Sequence, residues 1–325
     1  MVILMVLATL LLLVVFTTQL GDASLALQRV EEVARIKEIN YHVARSAVEL
    51  SMDLLRVDEI DVDSAQDVWA LGNQRLNWEG RDLFLEIRDE DSRFPLAMLP
   101  YLETADPDRA LFTQALERFL NRQGLAGPQA VGALLDWMDL DEEVRSFGAE
   151  QGNYPQVLVK NGLPDDLEEL NHWLGWGPPQ LPPPAPLAPM SEQLGEFQAM
   201  LGKGSNTSGV SSWSDWLSCY SRGKINVNTA PLEVLASLDP AMSEGTAGEI
   251  LAYRSTKVIK NQEDLKKIPG IDPDLAFRLN KLVGYTSSVF RVRVTVKSEN
   301  VSLELEAMLE RKSQKEIVVS YWRAR

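Results

Sequence analysis

The first 21 residues, MVILMVLATLLLLVVFTTQLG, carry no charge, and this run limits the possible folds more than any other feature. About 20 apolar residues at 1.5 Å rise each span the roughly 30 Å hydrocarbon layer of a bilayer. A cleaved signal peptide would show a basic start and a shorter apolar stretch, whereas Met1 opens directly into apolar sequence. Residues 1–20 are therefore read as a transmembrane anchor. Beyond Gly21, apolar residues recur every three or four positions, at Val30, Val33, Ile36 or Ile39, Val43, Ala47, Leu50 and Leu54, with no proline before Arg56. That spacing predicts an amphipathic helix over 21–56. Fused with the anchor it makes a rod about 80 Å long; a hinge at Gly21 would divide it into two helices.

The pattern then changes. In RDLFLEIRDEDSRF (81–94), Leu83, Leu85 and Ile87 alternate with Asp82, Phe84, Glu86 and Arg88, the period of a strand. From about Pro107 to Leu282 the texture is mostly helical. Asp106 before Pro107 and Gly124 at the far end mark one helix's start and stop. The stretch 177–189 is too rich in proline for helix or sheet and reads as a connector; 201–212 reads as flexible. After Tyr285 alternation returns and predicts about three strands. The expected architecture is α+β, with residues 57–105 and 285–325 forming one sheet domain and 106–284 a large helical insert.

A formal charge of −15 argues against general affinity for nucleic acid. Cys219 is the only cysteine, which excludes an internal disulfide and a thiolate zinc site. Neither a G-x-S-x-G elbow nor an H-E-x-x-H pair occurs, and GKGS at 202–205 lacks the glycine and Lys-Ser pair of a phosphate loop. The two histidines, His42 and His172, read as packing or surface residues. No enzymatic chemistry is expected.

Two stretches remain. In LDWMDLDEEVRSFGAEQGNY (135–154), Asp136, Asp139, Asp141, Glu142 and Glu143 crowd together, and Glu150 follows Gly148. Such charges repel unless water or a cation separates them, and an all-oxygen set suits a hard cation such as calcium. Counted from Asp139, carboxylates fall at positions 1, 3, 5 and 12 of an EF-hand loop, but Val144 stands where that loop needs glycine. A calcium loop of another shape, a solvated acidic turn and a paired-carboxylate hydrolase all stay open. Trp137 and Tyr154 are placed to close the loop over a core. The second stretch, 225–283, is similar to two helix-hairpin-helix units, which hold phosphate on backbone N–H groups at a glycine turn. Gly270, Lys266 and Lys267 are the candidate contacts, but Asp272 and Asp274 sit beside them. A membrane-tethered DNA-binding protein is thus the alternative to a structural hairpin.

Four stretches, ARSAVELSMDLL (44–55), DEDSRFPLAML (89–99), ALLDWMDLDEEVRSFGAEQGNY (133–154) and GKINVNTAPLEVLASL (223–238), together resemble the K-type minor pseudopilins of the bacterial type II secretion system. The resemblance implies a pilin-like fold, with a long N-terminal helix packed on an antiparallel sheet that carries the insert. It implies a non-enzymatic subunit at the tip of a periplasmic filament, priming its assembly. The implied location is the inner membrane, crossed once, with the bulk of the chain periplasmic. Implied partners are the other minor pseudopilins and the inner-membrane assembly platform. It also implies calcium in the insert, with ligands among Asp136, Asp139, Asp141, Glu142, Glu143 and Glu150. Met5 stands where ordinary pilins carry a glutamate, given a mature start near Met1. The family's basic leader is not seen, so the numbering is expected to be that of a processed form or a shifted start.

Overall fold

The computed structural model describes residues 1–70, 74–99, 107–155, 157–167, 169, 213–298 and 301–325. The proline-rich 177–189, the 201–212 stretch and His172 lie outside them. Helix α1 runs from Val2 to Val57 without a break at Gly21. Its 56 residues make a rod of about 84 Å. Within the apolar half, the hydroxyls of Thr9, Thr17 and Thr18 donate to carbonyls three residues back, at 2.9 Å each. Those polar groups are thus satisfied inside the helix, as a bilayer requires. The segment is long and apolar enough to cross a membrane.

Among the described residues, only the C-terminal third of α1 is covered by the rest of the chain. Its buried stripe is Asn40, Ala44, Ala47, Val48, Ser51 and Leu55, at spacings of three and four that keep one face inward. This differs from the predicted apolar line: Val30, Val33 and Leu50 are exposed. Small and hydrogen-bonded residues let the helix approach the sheet closely. Asn40 donates to Ser298 Oγ at 2.9 Å, and Ser51 returns its hydroxyl to Ala47 O. A count of apolar residues passes over both.

The chain continues through strands β1 (Gln74–Trp78), β2 (Arg81–Asp89) and the short β3 (Phe94–Pro95) into the insert. The insert holds helices α2 (Pro107–Arg122) and α3 (Gly127–Met138), then strands β4 (Leu217–Ser218) and β5 (Ile225–Asn226). Four helices follow: α4 (Leu232–Leu235), α5 (Glu244–Thr256), α6 (Gln262–Leu265) and α7 (Pro273–Leu282). Strand β6 (Val283–Gly284) leads out to β7 (Val289–Ser298), β8 (Val301–Arg311) and β9 (Ile317–Ala324). The main sheet is antiparallel throughout, in the order β1-β2-β7-β8-β9. Rows such as Leu85–Val294–Leu305 and Ile87–Val292–Ala307 run across it on the face that meets α1. Alternate positions carry charge on the opposite face, where Arg293 reaches Glu86, Glu304 and Glu306. The insert has its own core, with Phe94, Phe119 and Trp216 in contact at 5.3 and 5.6 Å between ring centres.

A buried polar joint couples the two cores. Asp89, Glu90, Asp91, Ser92 and Arg93, at the end of β2, are all buried. Glu90 accepts from Arg291 Nε at 2.7 Å and from Ser218 Oγ at 2.6 Å, and it pairs with Arg93. Asp89 Oδ2 accepts from Asn226, Thr229 and Ser287, and Asp91 from Ser221 and Ser288. Asn228 bonds both ways with the backbone of Ile259 at 2.9 Å, tying the segment before α4 to the segment after α5. Each carboxylate satisfies donors from a different part of the chain, which a buried charge needs.

Candidate metal centre

Helix α3 is amphipathic and almost wholly buried, and it delivers two carboxylates at its C-terminal end. Asp136 lies in the last turn and Asp139 is the C-cap. The helix dipole makes that end negative, so carboxylates there are unfavourable without a cation. The loop then returns through a tight turn, Gly148 N–H to Arg145 O at 2.8 Å, and brings Glu150 back beside them. One oxygen from each of Asp136, Asp139 and Glu150 lies within 4.8 Å of the others, and all three residues are buried. Two oxygens bound to one calcium at about 2.4 Å can be no more than about 4.8 Å apart, so the set fits.

The hydrogen bonds show what these groups lack. Neither oxygen of Glu150 has a hydrogen-bond partner among the described residues, and those of Asp139 have none either. Arg145 is the cation in contact: it pairs with Asp139 and, at 3.0 Å, with Asp136. Its backbone N–H also donates to Asp136 Oδ2 at 3.1 Å. One guanidinium facing three buried carboxylates leaves an excess of negative charge that matches a hard dication. Burial, followed by the charges of Asp136, Asp141 and Glu142, pushes the Glu150 carboxyl up, against an opposing pull from Arg145. Asp136, Asp139 and Glu150 would hold the ion, and the ion would supply the missing positive charge.

Asp141, Glu142 and Glu143 are exposed and lie outside the triad. Asp141 instead accepts the backbone N–H of Glu143 at 2.8 Å. Trp137 and Tyr154 meet edge-to-face at 5.5 Å behind the loop, both buried. Sequence reasoning missed two features here. Arg145 was detectable as the lone base in an acidic run. Gly148 matters through contact as well as through the turn: a Cβ there would sit 1.9 Å from Asp136 Oδ2.

The hairpin region places its candidate contacts differently from a phosphate grip. Gly270 turns with φ +83°, a conformation that favours glycine. Lys266 pairs with Glu263 and Lys267 with Asp264, each at 2.6 Å. The carboxylate of Asp272 caps α7 by accepting the Leu275 N–H at 2.7 Å. A phosphate at that helix start would meet an acid already in place, which disfavours the DNA reading.

Two family profiles, both described as type II secretion system (T2SS) protein K, match the chain, one over residues 92–188 and the other over residues 225–283. The chain belongs to the type II secretion system protein K family. As such it is a minor pseudopilin of that system, in a family of structural secretion components. The Asp136, Asp139 and Glu150 cluster lies within the first matched stretch and the short-helix region within the second. A solved structure titled as the GspK-GspI-GspJ complex from the enterotoxigenic Escherichia coli type 2 secretion system has the same fold. The likeness has a TM-score of 0.67 at 16% identity, over 90% of this pseudopilin and 97% of that chain. Among curated proteins the comparison finds no match.

Proposed function

We propose that this minor pseudopilin sits at the tip of the type II secretion pseudopilus and primes filament assembly without catalysing any reaction. The observation that carries this reading is the division of α1. Its C-terminal third is buried against its own sheet, while Val30, Val33 and the apolar residues described in its N-terminal half are exposed. A bilayer takes up about 30 Å of that length, and the remaining uncovered stretch is available to the helices of neighbouring subunits. The similar chain of known structure was solved as a complex with GspI and GspJ, which supports other minor pseudopilins as partners here. Anchoring in the inner membrane, with sheet and insert in the periplasm near the assembly platform, follows from the same reading. The insert adds bulk beside the sheet and suits a filament end better than a shaft. A gold label attached to the insert should mark the ends of pseudopili in electron micrographs. Label distributed along the shaft would contradict the tip assignment.

Calcium is part of this reading, held by Asp136, Asp139 and Glu150 as a clamp on the insert. In the full chain purified in detergent, calcium at 100 times its Kd should stabilise the fold by about 2.7 kcal/mol relative to excess chelator. Asp139→Ala and Glu150→Ala should each abolish that response in thermal unfolding. A response retained in both variants would put the ion elsewhere.

A further inference from the structure

We propose that Arg145 is a built-in counter-cation that occupies the calcium centre of this chain and must leave when the metal binds, so that it sets the affinity of the site. The proposal rests on the calcium reading and goes beyond it by naming the residue that tunes it. Arg145 comes from the loop between the ligands, and its guanidinium reaches both Asp136 and Asp139. It does not complete the site, because both oxygens of buried Glu150 stay without a hydrogen-bond partner among the described residues. Guanidinium and calcium therefore seek the same two carboxylates, and the third is left to the metal alone. The Arg145 side chain is 33% exposed, against 0% and 3% for Asp136 and Asp139. It can turn outward to water while its partners stay fixed. Its backbone N–H keeps one bond to Asp136, so the loop stays attached to α3 when the side chain departs.

Removing the guanidinium should then have opposite effects on the two states. Without metal, the carboxylates lose the only cation that contacts them among the described residues, and the fold weakens. With metal, nothing has to be displaced, and calcium binds more tightly by about the worth of one charged hydrogen bond, roughly tenfold or more. The test is calorimetric calcium titration of the full chain in detergent, wild type beside Arg145→Ala and Arg145→Gln, with thermal unfolding in chelator and in saturating calcium. The expected result is tighter binding in both variants, a lower midpoint in chelator and equal midpoints in saturating calcium. Arg145→Gln keeps part of the stem and an amide donor but no charge, so it reports on loss of the charge even if the alanine variant folds poorly. Equal or weaker calcium affinity in the variants would overturn the proposal while leaving the calcium centre intact. Absence of calcium binding in all three proteins would overturn the calcium reading and this proposal together.

Discussion

Glu90→Gln is expected to destabilise the fold by about 3–5 kcal/mol, the cost of breaking a buried ion pair from one side. Glu90 is fully buried between Arg291 and Arg93, and Ser218 donates to its second oxygen. The amide would leave two buried guanidinium groups without their shared counter-charge. Denaturant unfolding of the full chain would show the loss, and acid unfolding supplies a check on its cause. Burial alone would push the Glu90 carboxyl up, but Arg291 and then Arg93 outweigh it and lower it to about 2 from 4.5. Between those values the unfolded chain binds the extra proton, so this group's contribution is present above pH 4.5 and lost as pH falls toward 2. The variant should lack that dependence. Asp89 acts in the opposite direction. Burial first, then the charge of Asp91, push its carboxyl up to about 7, so its contribution favours the fold as pH falls from 7 toward ordinary carboxylate values. The difference between wild type and Glu90→Gln isolates the first group from the second. A loss below about 1 kcal/mol, the range of exposed pairs, would mean that the joint is wetter than its burial indicates.

Gly148→Ala should disable the proposed metal centre without replacing any of its three carboxylates. The added methyl would overlap Asp136 Oδ2 at 1.9 Å. Asp136 is held from the other side by the Arg145 backbone N–H and guanidinium. Either the carboxylate swings away or the loop shifts, and the oxygens can no longer all lie within 4.8 Å of one another. Overpacking of this kind costs about 1–3 kcal/mol, and calcium affinity should fall at least about tenfold, as for loss of one charged contact. Calorimetric titration reads the affinity directly. A variant that binds calcium as well as the wild type would show that Asp136 is not a ligand.

Much of the fold was legible because it depends on periodicity. The uncharged run, the alternation of Leu83, Leu85 and Ile87, and the strands after Tyr285 each signal their structure within a few residues. What was not legible depends on partners far away in sequence. The buried stripe of α1 includes Asn40 and Ser51, polar residues whose burial depends on Ser298 and on a backbone carbonyl. Strand β1 carries Asn77 and an exposed Trp78, with no clean alternation to reveal it. Nothing in the charged run Asp89 to Arg93 marks it as buried. Only the fold brings Arg291, Ser218 and Asn226 to it from 128 to 201 residues away. In the acidic loop the sequence shows a crowd of carboxylates, a set that would suit a hard cation. That Asp136, Asp139 and Glu150 converge while their neighbours do not was not legible, because it depends on how α3 ends and how Gly148 lets the chain return.

The most direct test of the central claim is co-assembly in the membrane. The full chain, expressed with the other minor pseudopilins of its own secretion system and extracted in mild detergent, should elute as one complex whose mass by native mass spectrometry includes each partner once. Replacing exposed Val33 on α1 with aspartate should release it from that complex while leaving its own unfolding midpoint unchanged. A chain that elutes alone under the same conditions would contradict its place among the minor pseudopilins at a filament tip.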